Sequence, residues 1–281
     1  MKKWFFLATS ALAIIALVGC GDTAAPISGT QDESNLTVQQ VLEKAVERQQ
    51  NLENVHVDVD MEQHSETTVG TESVQFSTTS NLAMDMQQSP LAMFTKGTVS
   101  MDMLGETIDM PIEMYMTEQD GFYMLNGETN EWLKLPDEQY EQLLAQTGVP
   151  AKPTEQLKQL EQFVEDFDFK QDDKNYLLTL TIEGDKFTEF IMGQLGTSLG
   201  EAGELSGDAF EKMTFENSTY HLKIAKDTFD TKEIQTDLTM LMDLQGQQMK
   251  TSSQATMHYS QYDELEDITI PDEVKNKAVS Q

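Results

Sequence analysis

The stretch SMDMLGETIDMPIEMYM, Ser100–Met116, carries five of the chain's seventeen methionines. They keep to every second position. Met101 and Met103 precede Gly105, and Ile108, Met110, Ile112, Met114 and Met116 follow it, with Asp102, Thr107, Asp109 and Glu113 between. A period of two is the mark of a strand with one apolar and one wet face. Two such runs around a glycine make a long antiparallel hairpin.

The same period extends on both sides. Val55, Val57, Val59 and Met61 alternate with His56, Asp58, Asp60 and Glu62. Val74, Phe76, Leu82, Met84 and Met86 share one phase up to Ser89-Pro90, and Leu91, Met93 and Val99 lead into the quoted stretch. Phe122–Leu125 and Trp132–Leu135 flank Asn126-Gly127, a strong turn signal. The order predicts a meander of long antiparallel strands.

Further strands are expected at Tyr176–Ile182, Tyr220–Ile224, Ile234–Leu244 and Met249–Tyr259. Leu238, Met240 and Met242 repeat the spacing of Leu82, Met84 and Met86. That is either a duplication or chance, since any amphipathic strand produces it.

Helices are fewer. Thr37 and Gln40 have capping-box spacing, and Val38, Val41, Leu42, Ala45, Val46 and Leu52 trace one helical face. Shorter helices are expected around Tyr140–Leu144, Leu157–Phe167 and Asp185–Leu195, the last running into a glycine-rich loop.

Lys2 and Lys3, the apolar run Trp4–Val18 and Gly19-Cys20 describe a secretory signal. The run is too short for a spanning helix, which needs roughly 20 apolar residues. Leu17-Val18-Gly19-Cys20 resembles the lipobox of bacterial lipoproteins, in which the cysteine becomes the first mature residue and is diacylated. Cys20 is the sole cysteine, so a disulfide framework is excluded. The expected division is a signal peptide over 1–19, a flexible tether over 20–35 starting at lipidated Cys20, one domain over 36–275 and a polar tail over 276–281. The expected location is the extracytoplasmic face of the membrane.

With 18 basic and 49 acidic side chains the net charge is −31. Such a surface repels nucleic acid and anionic headgroups. No catalytic constellation is expected: H-E-x-x-H and phosphate-binding loops are absent from the sequence. His56, His221 and His258 sit in the wet phase of their strands. The cluster Asp166, Asp168, Asp172 and Asp173 places Lys170 where a calcium loop needs an oxygen. Asp58, Asp60, Asp85, Asp102 and Asp109 recur on wet faces, a pattern that protects sheets from aggregation. No enzyme activity, cofactor or metal is expected.

Three readings compete for Met84, Met86, Met101, Met103, Met110, Met114, Met116, Met240 and Met242. They are ordinary core, a thioether site for Cu(I), or an adaptable lining for apolar ligands. About a dozen long strands with few helices to cover them leave a groove on the soft face.

The lipobox, the tether, the helix ending in LENVHVDVDMEQ (Leu52–Gln63), GFYMLNGETNEWLKLP (Gly121–Pro136) and ITIPDEV (Ile268–Val274) resemble the LolA/LppX-like lipoproteins of bacteria. The resemblance implies an α+β fold: a large curved antiparallel sheet, a half-open β-barrel, with a few helices covering its concave face. It also implies a lipid or other apolar ligand between sheet and helices. The rival reading is a structural, interaction or sensor lipoprotein without a small ligand. The expected partners are the membrane, through Cys20, and an apolar ligand.

Overall fold

The computed structural model describes residues 23–69, 72–103, 105–127, 129–140, 160–188, 213–216, 218–244 and 247–280. Their strands are β1 (Ala25–Pro26), β2 (Asn54–Val69), β3 (Glu72–Gln88), β4 (Leu91–Met103), β5 (Glu106–Thr117), β6 (Gly121–Asn126) and β7 (Glu131–Lys134). Next come β8 (Phe167–Gln171), β9 (Asn175–Ile182), β10 (Met213–Phe215), β11 (Ser218–Ala225), β12 (Thr231–Leu244), β13 (Gln247–Ser260) and β14 (Val279–Ser280). All fourteen join one large, curved, unclosed sheet. Its order is β1-β8-β9-β11-β12-β13-β2-β3-β4-β5-β6-β7-β14, with β10 pairing beside β12. From β2 to β7 every strand pairs with the next, which is the meander the period of two predicts.

Helix α1 (Val38–Gln50) begins where the sequence placed it. Thr37 Oγ1 accepts the Gln40 N–H and Gln40 Oε1 accepts the Thr37 N–H, a complete capping box. Its buried face, Val38, Val41, Leu42, Ala45 and Val46, packs with Phe169, Tyr176, Leu178, Leu180, Leu222 and Ile224 from β8, β9 and β11. A fully buried Val or Leu contributes roughly 1.5–3 kcal/mol, so this contact is the main core of the molecule. Leu52, just past the helix, starts a second cluster with Val55 and Val57.

Both chain ends depart from expectation. Residues 23–35 do not form a free tether. Ala25 and Pro26 pair in parallel with Lys170 and Gln171, and Thr23 bridges to Thr37. Gln171, 1% exposed, donates to the carbonyls of Ala24 and Ser34 and accepts the Ser34 N–H. The acidic cluster is used here: Asp173 accepts the Gln31 and Asp32 N–H groups, and Asp172 accepts those of Lys174 and Asn175. At the other end Val279 and Ser280 pair in parallel with Leu133 and Lys134, so the polar tail is also a strand. The two short strands cover the two sheet edges, which would otherwise present unpaired backbone groups. Neither has a hydrophobic period; each depends on a partner distant in sequence.

Two more differences concern the middle and the outer face. Phe167 does not end a helix; it opens β8 after a short 3-10 segment, Glu161–Asp166. The face opposite α1 is not wet throughout. Phe94 and Tyr115 stack at 4.5 Å, Tyr115 meets Trp132 at 5.8 Å, and Tyr123 packs against Ile270 and Val274. Val274 lies on the short helix α2 (Asp272–Lys277). The expected helices beyond Tyr140 and Thr188, and the glycine-rich loop, lie outside the described residues.

Candidate ligand-binding face

Strand register brings the methionines onto one side of the sheet. Met86, Met93, Met116 and Phe122 form one row across β3–β6, and Met84, Thr95, Met114, Met124 and Leu133 form the next across β3–β7. Met101 pairs with Ile108, Val99 with Met110, and Phe76 with Met103. On the far strands Phe215 pairs with Met240, and Met213, Met242 and Met249 form a row across β10, β12 and β13. Directly paired residues in an antiparallel ladder share a face. The row Leu222, Ile234, Met257, Val59 and Leu82 links this face to the one packed under α1.

Cover over this face is uneven. Met116 is 2% exposed and belongs to the core. Met84 and Met86 are half-buried against the cluster of Leu52, Val55 and Val57, and Met101, Met114, Met240 and Met242 are also half-buried. Met103 at 48% and Met110 at 37% are exposed, as are Val74, Ile108 and Met124 of the same phase. The sequence located the face but not this gradient, because exposure depends on what lies above each row.

One residue of the face was missed by sequence reading. Thr95 stands between Met84 and Met114 in its row, and it is 1% exposed. Its Oγ1 has no hydrogen-bond partner among the described residues. A buried hydroxyl without a partner costs about 1–3 kcal/mol. A polar atom on an otherwise apolar ligand would remove that cost once the protein groups that cover Thr95 make way for it. Alternation alone flags only a polar residue in an apolar phase, and in the sequence Thr95 passes as a tolerated β-former.

Two grooves are lined mostly by the opposite, wet phase of the sheet. One of about 380 Å³ is bordered by Met242, Met249, Leu241, Thr214 and Lys250. The other, about 370 Å³, is lined by His64, Glu66, Gln75, Phe76, Asp102, Lys250 and Ser252. Met84, Met86, Met101, Met103, Met110, Met114 and Met116 line neither groove.

The wet-phase histidines are tied to carboxylates or hydroxyls. His56 Nδ1 lies 2.6 Å from Asp85 and Nε2 3.3 Å from Asp58. Burial opposes charging His56, but the hydrogen bonds to Asp85 and Asp58 outweigh it and raise its pKa. His258 faces Glu233 at 3.3 Å, and His221 meets Thr179 at 3.0 Å. Asp102 and Asp109 accept hydroxyls from Thr107 and Ser100. Among the described residues no cluster of three or more His, Cys, Asp or Glu side chains is arranged to hold a metal ion.

A family model described as "Family of unknown function (DUF6612)" matches residues 37–279, from the cap of α1 to β14. The chain belongs to this family. No curated protein matches it. Solved structures similar to it include a DUF1329 family protein from Desulfovibrio piger ATCC 29098, at 10% identity over 84% of this chain and 95% of that one, with a TM-score of 0.21. Another is a beta-barrel-like protein of domain of unknown function DUF1849 from Brucella abortus, at 9% identity over 72% and 96%, with a TM-score of 0.20.

Proposed function

We propose that the chain is a membrane-anchored extracytoplasmic lipoprotein, not an enzyme, that holds a lipid or other apolar ligand against its methionine face. In this reading the sheet is a half-open barrel of the LolA/LppX-like kind, with helices over its concave side and Cys20 as the lipidated anchor. The observation that carries the ligand is Thr95, a buried hydroxyl without a partner among thioethers. Plain core has no use for it, whereas an amphiphile with a long apolar part and a polar atom fits both. Thioether chains repack around different shapes at little cost.

Native mass spectrometry of protein purified from its own membranes tests this. A bound lipid that is lost in Thr95→Val and kept in Thr95→Ser supports the reading. A protein without bound lipid, or equal binding by both variants, overturns it. Intact mass of the membrane-extracted protein tests the anchor: diacylated Cys20 as first residue is expected, and unchanged membrane retention of Cys20→Ser would exclude it.

Burial of Met116 and packing of Met84 and Met86 favour a second reading, in which the face is filled and the lipoprotein acts as a structural or sensor element. The rows Met86–Met93–Met116 and Met213–Met242–Met249 keep Cu(I) as a minor alternative. Titration with Cu(I) in reductant separates it from the others.

A further inference from the structure

The N-terminal segment determines which part of the molecule can meet the membrane. It is fixed from Thr23 onward by β1, by Gln171 and by Asp173. Only three steps of chain separate Thr23 from Cys20, a reach of about 10 Å. β1 runs parallel to β8, towards the β8–β9 turn, so Thr23 stands at the opposite end of these strands. That end carries the turns joining β2 to β3, β4 to β5 and β12 to β13.

Among the described residues, the large apolar side chains exposed near those turns are Val74, Met103, Ile108 and Met110. All four are on the methionine face, and contiguous exposed apolar surface marks an interaction site. The hairpins also extend well past the anchored edge. β12 runs on from Asp237, opposite Thr219, to Leu244, a further 23 Å or so at strand rise. A leash of about 10 Å does not let these tips stand upright on a bilayer, so the sheet must lean. One face of the hairpins carries Glu66, Asp102 and Asp109, which a headgroup layer disfavours. The other carries the four apolar side chains, with Glu106 beside Met103 at the end of the β4–β5 hairpin.

We propose that the hairpin-tip end of the sheet lies on the bilayer with Val74, Met103, Ile108 and Met110 against the lipid. An apolar ligand then passes between bilayer and methionine face without crossing water. This rests on lipidation at Cys20, which makes the contact intramolecular and offsets the repulsion of an acidic protein from the surface. Contact is apolar in kind, so zwitterionic vesicles support it better than anionic ones.

Trp132 is the only tryptophan beyond the signal region. Trp132→Phe combined with Ile108→Trp therefore places one reporter in the patch, at a side chain 57% exposed and so cheap to change. Met103→Trp is a second reporter, and Leu265→Trp, near the opposite end, is the control. The full lipidated protein is reconstituted in phosphatidylcholine vesicles with or without brominated chains. Reporters at 103 and 108 are expected to lose intensity in brominated lipid, and the control to keep it. Inserting about 20 Gly/Ser residues before Thr23, which gives a mean span of about 25 Å, should abolish the loss. Unquenched reporters on protein that floats with the vesicles overturn the proposal and leave the anchor intact. Reporters already shielded without lipid, in a concentration-dependent way, overturn it in favour of a second copy. Protein that does not float fails the anchor itself, and the proposal with it.

Discussion

Arg48 Nε donates to Asp230 Oδ1 at 2.8 Å, joining the last turn of α1 to the β11–β12 connection. Its Nη2 donates to Asp263 at 2.7 Å, and the guanidinium stacks over Tyr262, whose hydroxyl donates to the Thr231 carbonyl. Arg48 is the only arginine of the chain. A planar fork reaching two carboxylates and an aromatic ring is not replaced by lysine. Arg48→Met should lower stability by about 2–3 kcal/mol, because Asp230 is left buried and short of a partner. The midpoint of urea unfolding measures it.

Asp230 also gives the acid limb of stability. Burial opposes its ionisation, but hydrogen bonds from Thr228, Lys232 and Arg48 outweigh it and lower its pKa. A depressed carboxylate stabilises above its unfolded value of about 3.9, and that contribution is lost as pH falls through the folded value. Asp230→Asn should flatten the dependence of thermal midpoint on pH below about 4.

His56 acts with the opposite sign. Its raised pKa means that its contribution is complete below about pH 6.5 and is lost as pH rises through the folded value. His56→Gln should be costly at about pH 5.5 and nearly neutral at about pH 8.5, read as urea midpoints at both. Equal effects at both would show that Asp85 and Asp58 do not hold the imidazolium.

Gln171→Ala should release the N-terminal segment. Three hydrogen bonds to Ala24 and Ser34 disappear together, leaving buried backbone groups at about 1–3 kcal/mol each. Limited proteolysis checks this: new cuts are expected between Thr23 and Ser34, with β2–β5 intact.

Replacing Met101, Met103 and Met114 together with Leu should preserve the fold. Each swap costs less than about 1.5 kcal/mol, and Met103 is largely exposed. The range of lipids bound should narrow, as read by native mass spectrometry against a mixed lipid extract. An unchanged range would make these residues plain core.

The period of two from Val55 to Met116 and from Ile234 to Tyr259 determined the strands, their meander and the soft face, since alternation on a pleated backbone leaves one side for each phase. Thr37 and Gln40 determined where α1 starts, because a capping box is local chemistry. Tertiary structure alone decided the rest. Ala25–Pro26 and Val279–Ser280 become strands only because β8 and β7 offer open edges far away in sequence. Tyr115 and Tyr123 of the aromatic phase are covered only because Ile270 and Val274 fold back over them. Register, not composition, left Thr95 between Met84 and Met114, and what stands above each row kept Met116 buried while Met103 stays open. Periodicity gives each side chain a face; what stands over that face depends on segments that are distant in sequence.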